Sequence, residues 1–226
     1  MAEVILALDV ASRDEALALL DRLPDLRWAK VGPVLFVREG PALIAELERR
    51  GVRVFLDLKW HDIPNTVAEA ARGAAELGVA LATVHALGGR SMLEAAVVAS
   101  GEMRLAAVTV LTSHDPSEFW QTVGRSGPDE LGGEVERLAR LAVDGGVGAL
   151  VCSPLEVETV RAVAGPERWI VVPGIRPAGS EADDQRRSAD PAAAVRAGAT
   201  HLVVGRPILR AEDPRAVYDS ICEAAR

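Results

Sequence analysis

The chain has 226 residues, enough to bury one substantial core or to close one α/β barrel. A hydrophobic fraction of 49% beside 26% charged residues, with a mean hydropathy of +0.15, excludes a disordered or fibrous chain. Its 25 basic against 33 acidic residues, net -8, supply no field to draw in nucleic acid or an anionic membrane surface, so an anionic small molecule would need a local basic pocket.

The N-terminal segment MAEVILALDV carries no basic residue and meets an acidic one at Asp9, so Val4 to Asp9 reads as a buried strand and not as a secretion signal. Further β-type apolar runs follow at Arg27 to Val31, Val52 to Asp57, Val79 to His85, Leu105 to Thr109, Ala149 to Cys152, Trp169 to Val172 and His201 to Val204. Between them lie stretches rich in Ala, Leu and Glu with apolar residues at helical spacing, among them Asp14 to Leu23, Pro41 to Arg50, Thr66 to Leu77 and Glu134 to Val143. Strands in series with crossover helices imply a parallel sheet. Eight such units in this length predict a (β/α)8 TIM barrel, one domain spanning 1–226, rather than an open doubly wound sheet. No Gly-x-Gly-x-x-Gly follows the first strand, which removes support for a dinucleotide fold. No apolar run approaches membrane-spanning length. Cys152 and Cys222 stand far apart without metal-binding spacing, so a reducing cytoplasm is the expected compartment and no metal centre is expected.

Two connections are longer than simple links. One runs from Leu111 to about Pro128; the other, from Pro173 to Asp190, carries Arg176, Arg186 and Arg187 among Gly, Ser and Asp. Long polar loops in a compact domain often serve as lids or binding loops, and the loop after a barrel's seventh strand often grips phosphate.

Of the 25 basic residues only Lys30 and Lys59 are lysine, the rest being arginine. Where arginine suffices as a generic cation, a retained lysine points to work that arginine cannot do, since an ammonium can release a proton and a guanidinium cannot at ordinary pH. Barrel active sites gather at the C-terminal strand ends. Asp9 ends the first strand, Lys30 the second and Asp57 the third, with Lys59 and Asp62 following. Period-two geometry would turn Asp57 and Lys59 to one side, so charges of alternating sign converge on one rim. Such an array can hold an ammonium between carboxylates, protonated and beside a substrate. Taken alone, Asp62 reads as a helix cap near Pro64; taken together, the set reads as chemistry. After the eighth strand, Gly205, Arg206 and Pro207 are suited to a phosphate cup at a helix start.

The stretch Asp57-Leu-Lys-Trp-His-Asp-Ile-Pro-Asn-Thr66 resembles the Asp-x-Lys-x-x-Asp-Ile-x-x-Thr signature of the orotidine 5'-phosphate decarboxylases. The resemblance extends in order through Ala7-Leu-Asp9, Lys30-Val-Gly32, Val110-Leu-Thr-Ser113, Pro173-Gly-Ile-Arg-Pro177, Asp184-Gln185 and Val204-Gly-Arg206, essentially the full chain. It implies a cofactor-free barrel that converts orotidine 5'-phosphate to UMP and CO2, the last step of pyrimidine nucleotide synthesis. It also implies roles: Lys59 as proton donor to C6, Asp57 beside the departing carboxylate, and Asp9 and Lys30 on the ribose hydroxyls while completing the charge array. Thr112 or Ser113 would meet the pyrimidine, Gln185 would bridge base and phosphate, and Arg176, Gly205 and Arg206 would hold the phosphate. Asp62, with Ile63 and Thr66, would enter the neighbouring subunit's site, which implies a homodimer.

A sugar-phosphate decarboxylase or aldolase of the same barrel type shares the Asp-x-Lys-x-x-Asp core but usually adds magnesium; the Asp-Ile-Pro-Asn-Thr continuation and Gln185 count against it. A silent barrel that senses a phosphorylated ligand would keep Arg206 and have no use for Lys59 between two carboxylates. The four histidines lack metal-ligand spacing, Cys152 reads as a buried thiol at the pocket floor, and the four tryptophans are too scattered in sequence to form a stacking platform.

Overall fold

A computed structural model describes residues 1–176 and 189–226. In chain order the elements are β1 (Glu3–Ala7), α1 (Arg13–Asp21), β2 (Trp28–Val31), α2 (Pro33–Arg49), β3 (Arg53–Trp60), α3 (Pro64–Glu76), β4 (Leu81–His85), α4 (Arg90–Ala99) and β5 (Arg104–Val108). There follow α5 (Pro116–Thr122), α6 (Gly132–Asp144), β6 (Ala149–Val151), α7 (Val157–Ala164), β7 (Trp169–Val172), α8 (Pro191–Arg196), β8 (His201–Val204), α9 (Arg206–Leu209) and α10 (Pro214–Ala224). All strand pairs are parallel, and β8 returns to β1, closing an eight-stranded barrel. The TIM barrel expected from alternation is therefore the observed fold.

Alternate residues of each strand face inward. Ile5, Ala7, Trp28, Phe55, Leu81, Ala106, Ala149, Val171 and Val203 fill the barrel interior, while the intervening positions join the larger cluster under the helices. This is why the strands read as nearly continuous apolar runs, since a parallel sheet covered on both faces has no wet side. Trp28, Trp169 and His201 each open their strand and so meet at the N-terminal floor. The Trp169 and His201 rings lie 4.3 Å apart and Trp28 stands edge-on to both. Two of the four tryptophans, distant in sequence, thus pair through the barrel, with Arg53 and Arg104 stacked over Trp28 and Trp169.

Two helical expectations shift. The stretch Pro41 to Arg50 is only the second half of α2, whose Gly40 adopts φ 59° just before Pro41, so the helix bends where proline cannot continue the preceding turn. The first long connection contains a helix of its own, α5, capped by the Asp115 side chain, which accepts from the Glu118 amide. Trp120 anchors that excursion by donating its indole N–H to the Pro128 carbonyl at 2.8 Å.

Candidate active site

The C-terminal strand ends surround a cavity of about 220 Å³, and its lining includes Asp9, Lys30, Asp57, Lys59, Thr112, Arg176, Gly205 and Arg206. Asp9 follows β1 and Lys30 lies on β2; their register, Ala7 opposite Lys30, brings the Lys30 ammonium to 3.0 Å from Asp9 Oδ1. Lys30 also lies 3.6 Å from Asp57 Oδ2, and Lys59 Nζ donates to Asp57 Oδ1 at 2.8 Å. The four charges therefore form one chain, Asp9, Lys30, Asp57, Lys59. Burial pushes the Asp57 carboxyl up, but the charges of Lys30 and Lys59 and hydrogen bonds from Lys59 and Thr83 outweigh it, so the group sits below its ordinary value and stays ionised.

The convergence of Asp57 and Lys59 has a different cause from simple strand alternation. Leu56 pairs with Ala82 and Trp60 with Val84, so Asp57, Leu58 and Lys59 stand opposite Thr83 alone. The bulge sends Lys59 into the left-handed region, φ 51°, the one non-glycine residue with positive φ among the described residues. Such a conformation costs about 1–2 kcal/mol for a residue with a Cβ. Thr83, 1% exposed, compensates: its hydroxyl accepts the Lys59 amide at 2.8 Å and donates to Asp57 Oδ1 at 3.0 Å. Sequence reasoning passed over Thr83, although a lone hydroxyl at an inward position of an apolar strand was the available signal.

Beside Asp9 on the same rim, where β8 adjoins β1, Gly205 precedes α9, with Pro207 in its first turn. A Cβ at Gly205 would stand 3.3 Å from that of Ala7 and 3.5 Å from Asp9 Oδ2, so a side chain there would crowd β1 at the point where β8 leaves the barrel. Arg176 faces the same cavity, and its backbone N–H donates to the Ala189 carbonyl at 3.0 Å, joining the two stems of the second long connection. The apolar wall includes Phe55, Val108, Val151 and Val171, with Cys152 also lining it; Cys152 is buried, and burial drives its thiol pKa up.

Of the remaining expected site residues, one joins this group. Thr112 lines the cavity, whereas Ser113 is exposed and does not. Gln185, with Asp184, Arg186 and Arg187, lies outside the described residues. Asp62, Ile63 and Thr66 are exposed and do not line this cavity. Nor does Asp62 cap α3: Ile63 holds that position without a side-chain bond, and the Asp62 carboxylate instead accepts the Ile63 amide at 2.6 Å. Pro64 at the helix start removes one amide that a cap would otherwise serve. His61 stacks on His85 with ring centroids 5.6 Å apart, a pairing the sequence spacing did not reveal. Burial, with the charges of His61, Lys59 and His114, lowers the His85 pKa to about 4. Among the described residues no group of three or more His, Cys, Asp or Glu side chains is placed to hold a metal ion.

The chain is 55% identical to an orotidine 5'-phosphate decarboxylase of Anaeromyxobacter sp. (strain K), across 88% of this chain and 86% of that one. With the corresponding protein of Halorhodospira halophila it shares 51% identity over 96% and 93%. The crystal structure of orotidine 5'-phosphate decarboxylase from Lactobacillus acidophilus matches at a TM-score of 0.88, with 35% identity and 100% of both chains covered. An uncharacterized conserved protein from Geobacillus kaustophilus matches at 0.86, with 34% identity over 99% and 100%. Residues 2–221 fit the family described as orotidine 5'-phosphate decarboxylase / HUMPS, and the chain belongs to that family.

Proposed function

We infer that this barrel removes CO2 from orotidine 5'-phosphate to give UMP, the last step of pyrimidine nucleotide synthesis, and that residues 1–226 act as a single domain. The observation that carries the reading is the Asp9–Lys30–Asp57–Lys59 chain, built around the buried Lys30, in a cavity whose lining also includes Arg176 and Arg206. Breaking the bond between C6 and the carboxylate leaves an electron pair on a ring carbon with no neighbouring carbonyl to delocalise it. A fixed cation must therefore stabilise the charge as it develops. Lys59 does so and then delivers its Nζ proton to C6. Asp57 holds that ammonium and sits beside the departing carboxylate; Asp9 and Lys30 take the ribose hydroxyls.

Thr112, which lines the cavity, is the residue we assign to the pyrimidine in preference to Ser113. Arg176, Gly205 and Arg206 bind the phosphate, and Gln185 spans base and phosphate. We further propose a homodimer in which Asp62, Ile63 and Thr66 complete the partner's site. Supporting this, Ile63 is 66% and Leu87 38% exposed, on segments that the His61–His85 stack holds side by side. Among the described residues no helix is long and apolar enough to cross a membrane. With two unpaired thiols, a reducing cytoplasm is the compartment we propose; nucleic acid is not a proposed partner.

Loss of orotidine 5'-phosphate absorbance on adding purified protein tests the reading directly. Turnover that survives exhaustive chelation is expected, because an ammonium is the electrophile; loss with EDTA and recovery with magnesium would transfer the assignment to a metal-dependent sugar-phosphate reaction.

A further inference from the structure

The bulge in β3 puts three residues of that strand opposite one residue of β4, and that one residue carries the hydroxyl that repairs the damage. The Lys59 amide has Thr83 Oγ1 as its acceptor at 2.8 Å. A hydroxyl has one proton, and Thr83 gives it to Asp57 Oδ1 at 3.0 Å, the same oxygen that receives Lys59 Nζ at 2.8 Å. The direction of the relay is thereby fixed: Lys59 N–H to Thr83 O–H to Asp57. Backbone and side chain of Lys59 are tied to one carboxylate oxygen, leaving Asp57 Oδ2 toward Lys30 at 3.6 Å.

We propose that Thr83 is a positioning residue for the decarboxylation. Its hydroxyl holds Lys59 in the left-handed conformation and sets the rotation of the Asp57 carboxylate, so that the ammonium is presented to the substrate in one geometry. The proposal rests on the functional reading above. Without the hydroxyl the Lys59 amide would lose its acceptor in a partly buried site, where an unpaired polar group is costly, and the lysine would relax out of its bulge. Asp57 would lose a donor to its charged form and become easier to protonate.

The experiment compares wild type with Thr83→Val, which keeps the volume and deletes the hydroxyl, and with Thr83→Ser, which keeps the hydroxyl. A hydrogen bond to a charged group corresponds to about 10- to 100-fold. We expect Thr83→Val to lower kcat by that factor with KM within about threefold of wild type, and Thr83→Ser to restore kcat to within about threefold. The second readout needs no substrate. The Asp57 carboxyl, followed by carbon-13 NMR with Asp9, Lys30 and Lys59 in place, should titrate at higher pH in Thr83→Val and return in Thr83→Ser. A merely structural role would lower thermal stability and leave both readouts unchanged, which would overturn the proposal, as would a loss that serine does not rescue. If Thr83→Val fails to fold, Thr83→Ala removes the same hydroxyl and takes its place. If wild type itself does not decarboxylate the nucleotide, the functional reading fails, and the Asp57 titration still decides whether Thr83 holds the pair: no shift overturns the positioning role.

Discussion

At the scale of single residues the lysines carry the argument. Every other basic residue is arginine, and the two lysines share a carboxylate between them, Lys30 and Lys59 flanking Asp57. Lys59→Arg separates charge from proton supply: the cation remains, but a guanidinium is too weak an acid to protonate carbon at the required moment. General acid catalysis commonly contributes about 10²- to 10⁴-fold, so turnover should fall by at least that range while circular dichroism stays native. Near wild-type turnover would remove Lys59 from the mechanism. Arg206→Ala probes the far end of the ligand. One charge-assisted contact corresponds to about 10- to 100-fold in kcat/KM, and losing the entire phosphate should cost more. Orotidine should therefore be a poor substrate even near saturation, because remote binding energy helps assemble the charged site. Equal rates for bound nucleoside and bound nucleotide would reduce the phosphate to a handle.

At the scale of elements, strand existence was legible because each strand is an apolar run between helical patterns; β7 and β8 fall where their sequence suggests. What the sequence hid were features made by two elements together. The β3 bulge is a register relation with β4, visible only once Leu56 and Trp60 have partners, and so Thr83 went unread. The Trp28–Trp169–His201 floor joins β2, β7 and β8 across the barrel. This floor has a pH signature. Burial, with the charges of Arg53 and Arg104, lowers the His201 pKa to about 4, below the unfolded value of about 6.5. The unfolded chain then binds the proton first, so this residue's contribution is complete above the unfolded value and declines as pH falls toward the folded one. Between pH 7.5 and 5 the loss from His201 is about 2 kcal/mol, and His85 acts in the same direction. Urea unfolding midpoints at the two pH values should differ less for His201→Asn than for wild type; equal differences would mean that His201 titrates normally in the fold.

At the scale of the whole molecule, a chain of net charge -8 gathers Lys30, Lys59, Arg176 and Arg206 around one cavity against Asp9 and Asp57, which suits an anionic nucleotide held locally by a protein that repels anions elsewhere. The third fixed residue of the signature, Asp62, is exposed and outside that cavity, so in the proposed dimer it acts in the partner's site. A two-fold dimer makes this testable, because each site would take Lys59 from one protomer and Asp62 from the other. Asp62→Ala and Lys59→Ala homodimers should each be nearly inactive. In a mixed dimer, the protomer with intact Lys59 receives intact Asp62 from its partner, while the other site lacks both. Random exchange of equal amounts makes about half the dimers mixed, with one working site of two, so activity should recover to about a quarter of wild type. Exchange verified by mass spectrometry without any recovery would place Asp62 in its own chain's site or remove it from catalysis, and the exposed Ile63 and Thr66 would lose their proposed partner with it.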